Sequence, residues 1–383
     1  MTLGAAGRFP VRAAMGLAYG AQFFALGVYL PFFPLWLSAR GLSAEDIGLA
    51  VAVPLATRLV STPLLGFLSD RLGRPKALLV LLASFTALTM SLLALAQTLL
   101  AILVVLGIAA LAWNPSFALL DAYATRQARA GRIDYGRSRL WGSVAFVAAN
   151  LVGGLVIQQT GPGAVVALMV AGYVSYVAAT LALPELARPD ATAVPGLDWK
   201  QARSILVVGV LAAALIQASH ATLYAFSSLH WSRSGLSLTA VGVLWSIGVI
   251  SEIVVFRFGT RLVRRIGPLG LLMAGAGIGV VRFAGLALDP SLPMLVALQV
   301  LHGGTFGATY LGQVQLIARY APEHRAGSAQ SLAAWVVNLT MSGASLASGP
   351  LWAMLGPGAF AVSAGLAGLG GVLAFIGVRR ARA

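Results

Sequence analysis

Apolar residues in this chain neither alternate with polar ones nor keep to one helical face; they come in uninterrupted runs separated by short polar or glycine-containing breaks. A helix needs roughly 17 to 25 such residues to cross a bilayer. Runs of that length recur at about 11–37, 45–69, 76–97, 98–122, 137–159, 163–184, 202–228, 238–260, 266–287, 291–317, 326–352 and 357–378. Strands of a β-barrel would alternate instead, because only one of their faces meets lipid. The pattern predicts an all-α membrane protein with twelve transmembrane helices.

The pattern also repeats. A shift of 194 residues lays "LPFFPLWLSARGLSAEDIG" (30–48) on "YAFSSLHWSRSGLSLTAVG" (224–242), with identities Phe32/Phe226, Leu35/Leu229, Ser38/Ser232, Gly41/Gly235, Leu42/Leu236, Ser43/Ser237 and Gly48/Gly242. The same shift pairs Trp141 with Trp335, and a shift of 195 pairs the two "GPGA" segments at 161–164 and 356–359. Two pseudo-symmetric six-helix bundles follow, 1–184 and 201–383, joined by a polar, proline-containing linker over 185–200. Internal repeats of this kind are a carrier architecture, with the binding site expected between the repeats near the bilayer midplane.

Composition agrees: 59% of residues are hydrophobic and 10% charged. The net charge of +15 would suggest nucleic acid in a soluble protein, but the positions of the 26 basic residues point elsewhere. Arg8 and Arg12, the Arg379–Arg382 end and every second connection hold nearly all of them, while the intervening loops carry Arg40 and Arg233. By the positive-inside rule both termini are cytoplasmic. There is no cysteine, so disulfides and thiolate metal sites are excluded. The basic N-terminal stretch precedes a long run without a cleavage signature and reads as the first span.

At the cytoplasmic end of the second run stands "GFLSDRLGRPK" (66–76). Gly66, Asp70, Arg71, Gly73 and Arg74 resemble the G-x-x-x-D-R-x-G-R loop of the major facilitator superfamily, which implies that fold and a latch between conformations. The second-half counterpart "TRLVRRIG" (260–267) keeps Gly267 but has Arg264 where Asp70 stands, so the latch is asymmetric.

Charges inside spans cost about 2.5–3.5 kcal/mol each on insertion scales, so each invites a functional reading. The candidates are Arg58, Asp121, Glu252, Arg282 and His302. Glu252 maps onto Arg58 under the repeat; the two are salt-bridge partners or separate features. A buried carboxylate can take up a proton near neutral pH, or can serve as a permanent ion pair that positions helices. Arg282 and His302 lie on neighbouring antiparallel spans, where an arginine offers paired hydrogen bonds to a carboxylate and an imidazole can relay a proton. His220 and His230 fall on the seventh span and His324 in a loop.

"LLDAYA" (119–124) with "DYGRSRLWGS" (134–143), "ASHATLYAFSSLHW" (218–231), "LWSIGVISE" (244–252), "VVRF" (280–283) and "LHGGTF" (301–306) closely resemble phenylpropionate permeases and, more distantly, lactose permease and nucleoside–proton symporters. The resemblance implies that Asp121 and Arg139 match an acidic–arginine pair that holds substrate, that Phe146 matches an aromatic on which substrate stacks, and that Glu252, Arg282 and His302 match a second-half polar cluster. One position departs: the carboxylate that lactose permease carries three residues after its histidine is Thr305 here. The implied function is proton-coupled symport of a small aromatic carboxylate across a bacterial inner membrane. Arg139, Arg282, Asp121, Phe146, Tyr224, Phe226 and His220 would contact substrate, and Glu252, Asp121 and His302 would handle the proton. A nucleoside or oligosaccharide symporter, or an exporter of drug-like compounds, is the alternative within the fold. A non-transporting sensor would be expected to lose the intramembrane charges, which this chain keeps. No nucleophile–base or metal-ligand spacing supports an enzyme. The expected partners are substrate, protons and lipid, with no nucleic acid and no cofactor, and the chain is expected to act as a monomer.

Overall fold

The computed structural model describes the backbone of residues 10–185, 199–321 and 326–382, and their side chains except at residues 70, 129, 199–203, 260, 326–328 and 382. The described residues are helical, without strands. The helices are α1 (Val11–Ala39), α2 (Ala44–Leu72), α3 (Pro75–Ser91), α4 (Leu99–Arg129), α5 (Tyr135–Thr160), α6 (Ala164–Leu181), α7 (Trp199–Ala218), α8 (Ala221–Arg233), α9 (Leu238–Arg257), α10 (Gly259–Ala287), α11 (Leu292–Val300), α12 (Ala308–Tyr320), α13 (Ala326–Leu355) and α14 (Ala359–Arg382). α7 with α8 forms one span broken at Ser219–His220, and α11 with α12 forms another, joined through a π turn at Gly303–Gly307.

Ten helical segments among the described residues are individually long and apolar enough to cross a bilayer. The number falls short of twelve spans for two local reasons. The π turn leaves the tenth span as pieces of 9 and 13 residues. The last two spans run on through a short turn at Gly356–Gly358 as one stretch, Ala329–Ala381. Large apolar side chains point outward all along the bundles, among them Leu64, Leu88, Leu100 and Met354. A surface of that kind is stable only in lipid.

The repeat seen in the sequence recurs as backbone geometry. Gly41 and Gly235 both adopt positive φ (78° and 92°), and Ser43 and Ser237 follow as helix caps, each accepting a backbone N–H at 3.1 Å from the residue three further on. Gly73 and Gly267, also 194 residues apart, take φ of 64° and 69°. A side chain with a Cβ resists this left-handed conformation, which explains why glycine stands at both ends of the repeat. At Gly267 it turns α10 sharply.

The described residues form two compact units. One takes in the chain up to Phe33 and resumes at Val60; its core joins Met15, Tyr19, Leu79, Leu120, Tyr123 and Tyr176 from α1, α3, α4 and α6. The other holds the second half together with Pro34–Leu59; Leu206, Ala213, Leu272, Leu316, Ala333 and Ala374 form its core. The Pro34–Leu59 segment is fixed there by close backbone approach, since a Cβ at Gly48 would lie 2.9 Å from the Gly349 nitrogen.

Candidate functional site

Each unit brings together a polar constellation of sequence-predicted residues. In the first, α4 and α5 form a hairpin whose turn is set by Gly131, at φ 68°, and by the Asp134 side chain, which accepts the Arg137 N–H at 2.8 Å and starts α5. Antiparallel pairing then brings Asp121 and Arg139, at similar distances from the turn, onto facing sides. The Arg139 Nε lies 3.8 Å from Asp121 Oδ1, whereas Arg137 pairs with Asp134 at 3.9 Å. The Tyr19 hydroxyl donates to the same Oδ1 at 2.6 Å and the Tyr135 hydroxyl at 3.3 Å.

Arg139 rests on an aromatic shelf. Its guanidinium carbon sits 4.1 Å from the Phe23 ring centroid and 5.5 Å from that of Tyr19. These two rings are one turn apart on α1 and so share a face. Phe117 of α4 supports the Phe23 ring edge-on at 5.4 Å. Gly142 leaves room for the stack: a Cβ there would come within 3.0 Å of the Phe23 ring and 3.2 Å of Arg139 Nη1. Among the described residues neither Nη1 nor Nη2 of Arg139 has a hydrogen-bond partner, and the side chain is 35% exposed. The guanidinium is thus held by its face with its fork open, the geometry that accepts a carboxylate in two parallel hydrogen bonds.

The second constellation is buried. α7 ends at Ala218, and the carbonyls of Ile216 and Gln217 in its last turn lie 3.2 Å from His220 Nδ1. Both are acceptors only, so Nδ1 carries the hydrogen, and Nε2 faces the Thr305 hydroxyl at 3.1 Å. Thr305 stands in the π turn, where its hydroxyl also lies 3.0 Å from the His302 carbonyl and 3.5 Å from Arg282 Nη1. Arg282 is fully buried; its Nε donates to Leu298 O at 2.9 Å and its Nη2 to Gln299 Oε1 at 2.8 Å. Gln299 passes the bond on to Leu244 O at 3.0 Å.

His302 Nε2 lies 2.8 Å from the Glu252 carboxylate, so this ring donates through Nε2. The pairing depends on Gly303, whose missing side chain lets the π turn press against the Ser251 carbonyl; its N–H donates to Ser251 Oγ at 2.7 Å. π turns inside α-helices occur frequently at functional sites.

The sequence-predicted residues therefore sort into distinct places. Asp121 and Arg139 meet in the first unit, and Glu252, His302, His220 and Arg282 connect in the second. Tyr224 joins the second group beside His220 and stacks on Trp245 at 5.9 Å. Phe146 is buried, its carbonyl packed on Gly27, and Phe226 is buried in a parallel stack with Trp352 at 4.9 Å. Arg58 is half-buried on α2. His230 pairs with Asp289 at 2.7 Å, away from either group. In the latch loop Arg71 and Arg74 are exposed; the Asp70 side chain, His324 and most of the 185–200 linker lie outside the described residues.

Tyr19, Phe23 and Tyr135 were not singled out in the sequence, nor was Gln299. Tyr19 and Phe23 carried a faint signal, two aromatics at four-residue spacing on a span that also holds Gln22. Among the described residues no group of His, Asp and Glu side chains is placed to hold a metal ion.

Comparison with known proteins bears on what these groups serve. The model of the MFS_1 like family matches residues 14–361. The chain is 31% identical over 363 residues to the probable 3-phenylpropionic acid transporter of Escherichia coli (strain K12), covering 91% of this chain and 93% of that one. It is 26% identical over 344 residues to the maltose permease of Geobacillus stearothermophilus, covering 88% and 85%. The crystal structure of the nucleoside transporter NupG superposes with a TM-score of 0.81 at 19% identity, over 98% of this chain and 100% of that chain, a likeness of fold. The chain belongs to the MFS_1 like family and is a multi-pass membrane transporter of the major facilitator superfamily, not an enzyme.

Proposed function

We propose that this transporter is a proton-coupled symporter for a small aromatic carboxylate of the phenylpropionate type, acting as a monomer in a bacterial inner membrane with both termini cytoplasmic. The observation that carries this reading is the contrast between Arg282 and Arg139. Arg282 is sealed and spends its N–H groups on Leu298, Gln299 and Thr305. Arg139 is partly open, with its fork unused and its face on Phe23. A carboxylate would replace water at that fork with two charge-assisted bonds, and the shelf has already fixed the guanidinium plane. A sugar, lacking charge, would gain less there. The similarity to the probable 3-phenylpropionic acid transporter supports the same substrate class.

Glu252, His302 and Asp121 are the titratable groups proposed to serve coupling. Alternating exposure of the site to the two sides of the membrane would be steadied by the loop at Gly66–Arg74. Thermal unfolding of the purified protein in detergent checks the substrate class. 3-Phenylpropionate is expected to raise Tm, through a stabilisation RT ln(1 + [L]/Kd) of about 2.7 kcal/mol at a hundredfold excess over Kd, whereas lactose and uridine leave it unchanged. A shift with uridine or lactose alone would replace this reading with the nucleoside or sugar one.

A further inference from the structure

We propose that Asp121 takes up the transported proton, on Oδ2, because the incoming substrate carboxylate takes Arg139 from it. The inference rests on the carboxylate reading above and adds the link between substrate and proton. Three contacts reach the Asp121 carboxylate: Tyr19 from α1, and Tyr135 and Arg139 from α5. All three fall on Oδ1. Among the described residues Oδ2 receives none, and the side chain is 43% exposed. Tyr176 of α6 also lies within electrostatic reach, as a further neutral hydroxyl.

This one-sided arrangement suits both protonation states. As an anion, Asp121 balances Arg139. When a substrate carboxylate binds the Arg139 fork, two carboxylates would share one cation at close range, and like charges so placed cannot both stay ionised cheaply. A proton from the open side relieves the conflict by adding to Oδ2. Oδ1 then becomes the carbonyl oxygen of a neutral acid and still accepts from the Tyr19 and Tyr135 hydroxyls, so no hydrogen bond is lost. The charge balance closes: Arg139 with Asp121 is neutral before, and Arg139 with the substrate carboxylate and protonated Asp121 is neutral after. The cycle thus moves one carboxylate and one proton together, without net charge.

Two consequences follow in the wild-type protein. Binding of 3-phenylpropionate in weakly buffered detergent solution takes up one proton, and Kd rises with pH, approaching tenfold per unit where one proton is taken up per substrate bound. The Asp121→Asn variant keeps an Oδ1 acceptor for Tyr19 but cannot take the proton; it is expected to bind 3-phenylpropionate with no proton uptake and a Kd flat between pH 6 and 9. Proton uptake persisting in Asp121→Asn would overturn the proposal. Should that variant fail to fold, wild-type proteoliposomes decide: uptake that does not respond to a potassium diffusion potential is expected, and uptake driven by the potential overturns it. Absence of any binding to wild type would instead show that the carboxylate reading itself has failed, and this inference with it.

Discussion

Arg139→Ala is expected to raise the Kd for 3-phenylpropionate by roughly 30- to 150-fold, the loss of about 2–3 kcal/mol that charge-assisted hydrogen bonds supply. The geometry makes the effect specific to binding. Arg139 is only loosely tied to Asp121, at 3.8 Å and partly exposed, and such a pair contributes about 0–1 kcal/mol to folding. Tm in detergent is therefore expected to stay nearly unchanged while affinity collapses. Arg139→Lys keeps the charge but replaces a planar fork on an aromatic shelf by a point charge, and should fall between alanine and wild type. Titration calorimetry of the three proteins checks the order. An Arg139→Ala variant that bound the acid as wild type does would remove the anchor on which the substrate reading depends.

Gly303→Ala is expected to have the largest effect on folding. A Cβ on Gly303 would be driven into the Ser251 carbonyl and within 2.8 Å of the Glu252 nitrogen, both backbone atoms with nowhere to move. Overpacking of this kind costs about 1–3 kcal/mol. The fall in Tm should be several degrees, on the order of 2–4 °C per kcal/mol for a domain of about 200 residues. The same clash would part α9 from the π turn and loosen the 2.8 Å pairing of His302 with Glu252. Gly277→Ala supplies the comparison, because a Cβ there meets nothing within 4 Å. In mid-helix the added methyl is expected to leave Tm unchanged or to raise it, because alanine adds up to about 1 kcal/mol of helix propensity over glycine. Equal Tm values for the two variants would contradict this account of the turn.

These two expectations differ in how far the sequence foreshadowed them. The Asp121–Arg139 relation was implied by the family resemblance; the residues alone, flanking one hairpin turn, did not distinguish Arg139 from Arg137 as the partner of Asp121. The shelf beneath Arg139 was not legible. Phe23 and Tyr19 sit in the first apolar run, where aromatics are ordinary, and only packing of α1 on α4 and α5 brings them to residues a hundred positions away. Span number and position were set by hydropathy alone, which is why the helices lie close to the runs. The interruptions were invisible to it: nothing in the hydropathy of "QASHATL" shows that α7 stops at Ala218, and the π turn depends on Gly303 meeting Ser251, a tertiary contact. The repeat foretold more, since the glycines it aligned, Gly41 with Gly235 and Gly73 with Gly267, prove to be the positions of left-handed backbone.

The burial of Arg282 carries a similar lesson. Its charge in a span announced importance, but the sequence does not show whether a guanidinium faces a substrate or its own helices. Leu298, Gln299 and Thr305 settle its hydrogen bonds inside the second unit, so of Arg282 and Arg139 it is Arg139 that keeps an open fork.

The central claim is that a carboxylate and a proton cross together. Its most direct test is uptake of labelled 3-phenylpropionate into proteoliposomes carrying the purified protein, with a pH gradient imposed, acid outside. Accumulation above the equilibrium level, collapsing on addition of a protonophore and accompanied by alkalinisation of the outer medium, is the predicted result. Uptake that only equilibrates, indifferent to the gradient and without movement of protons, would contradict it.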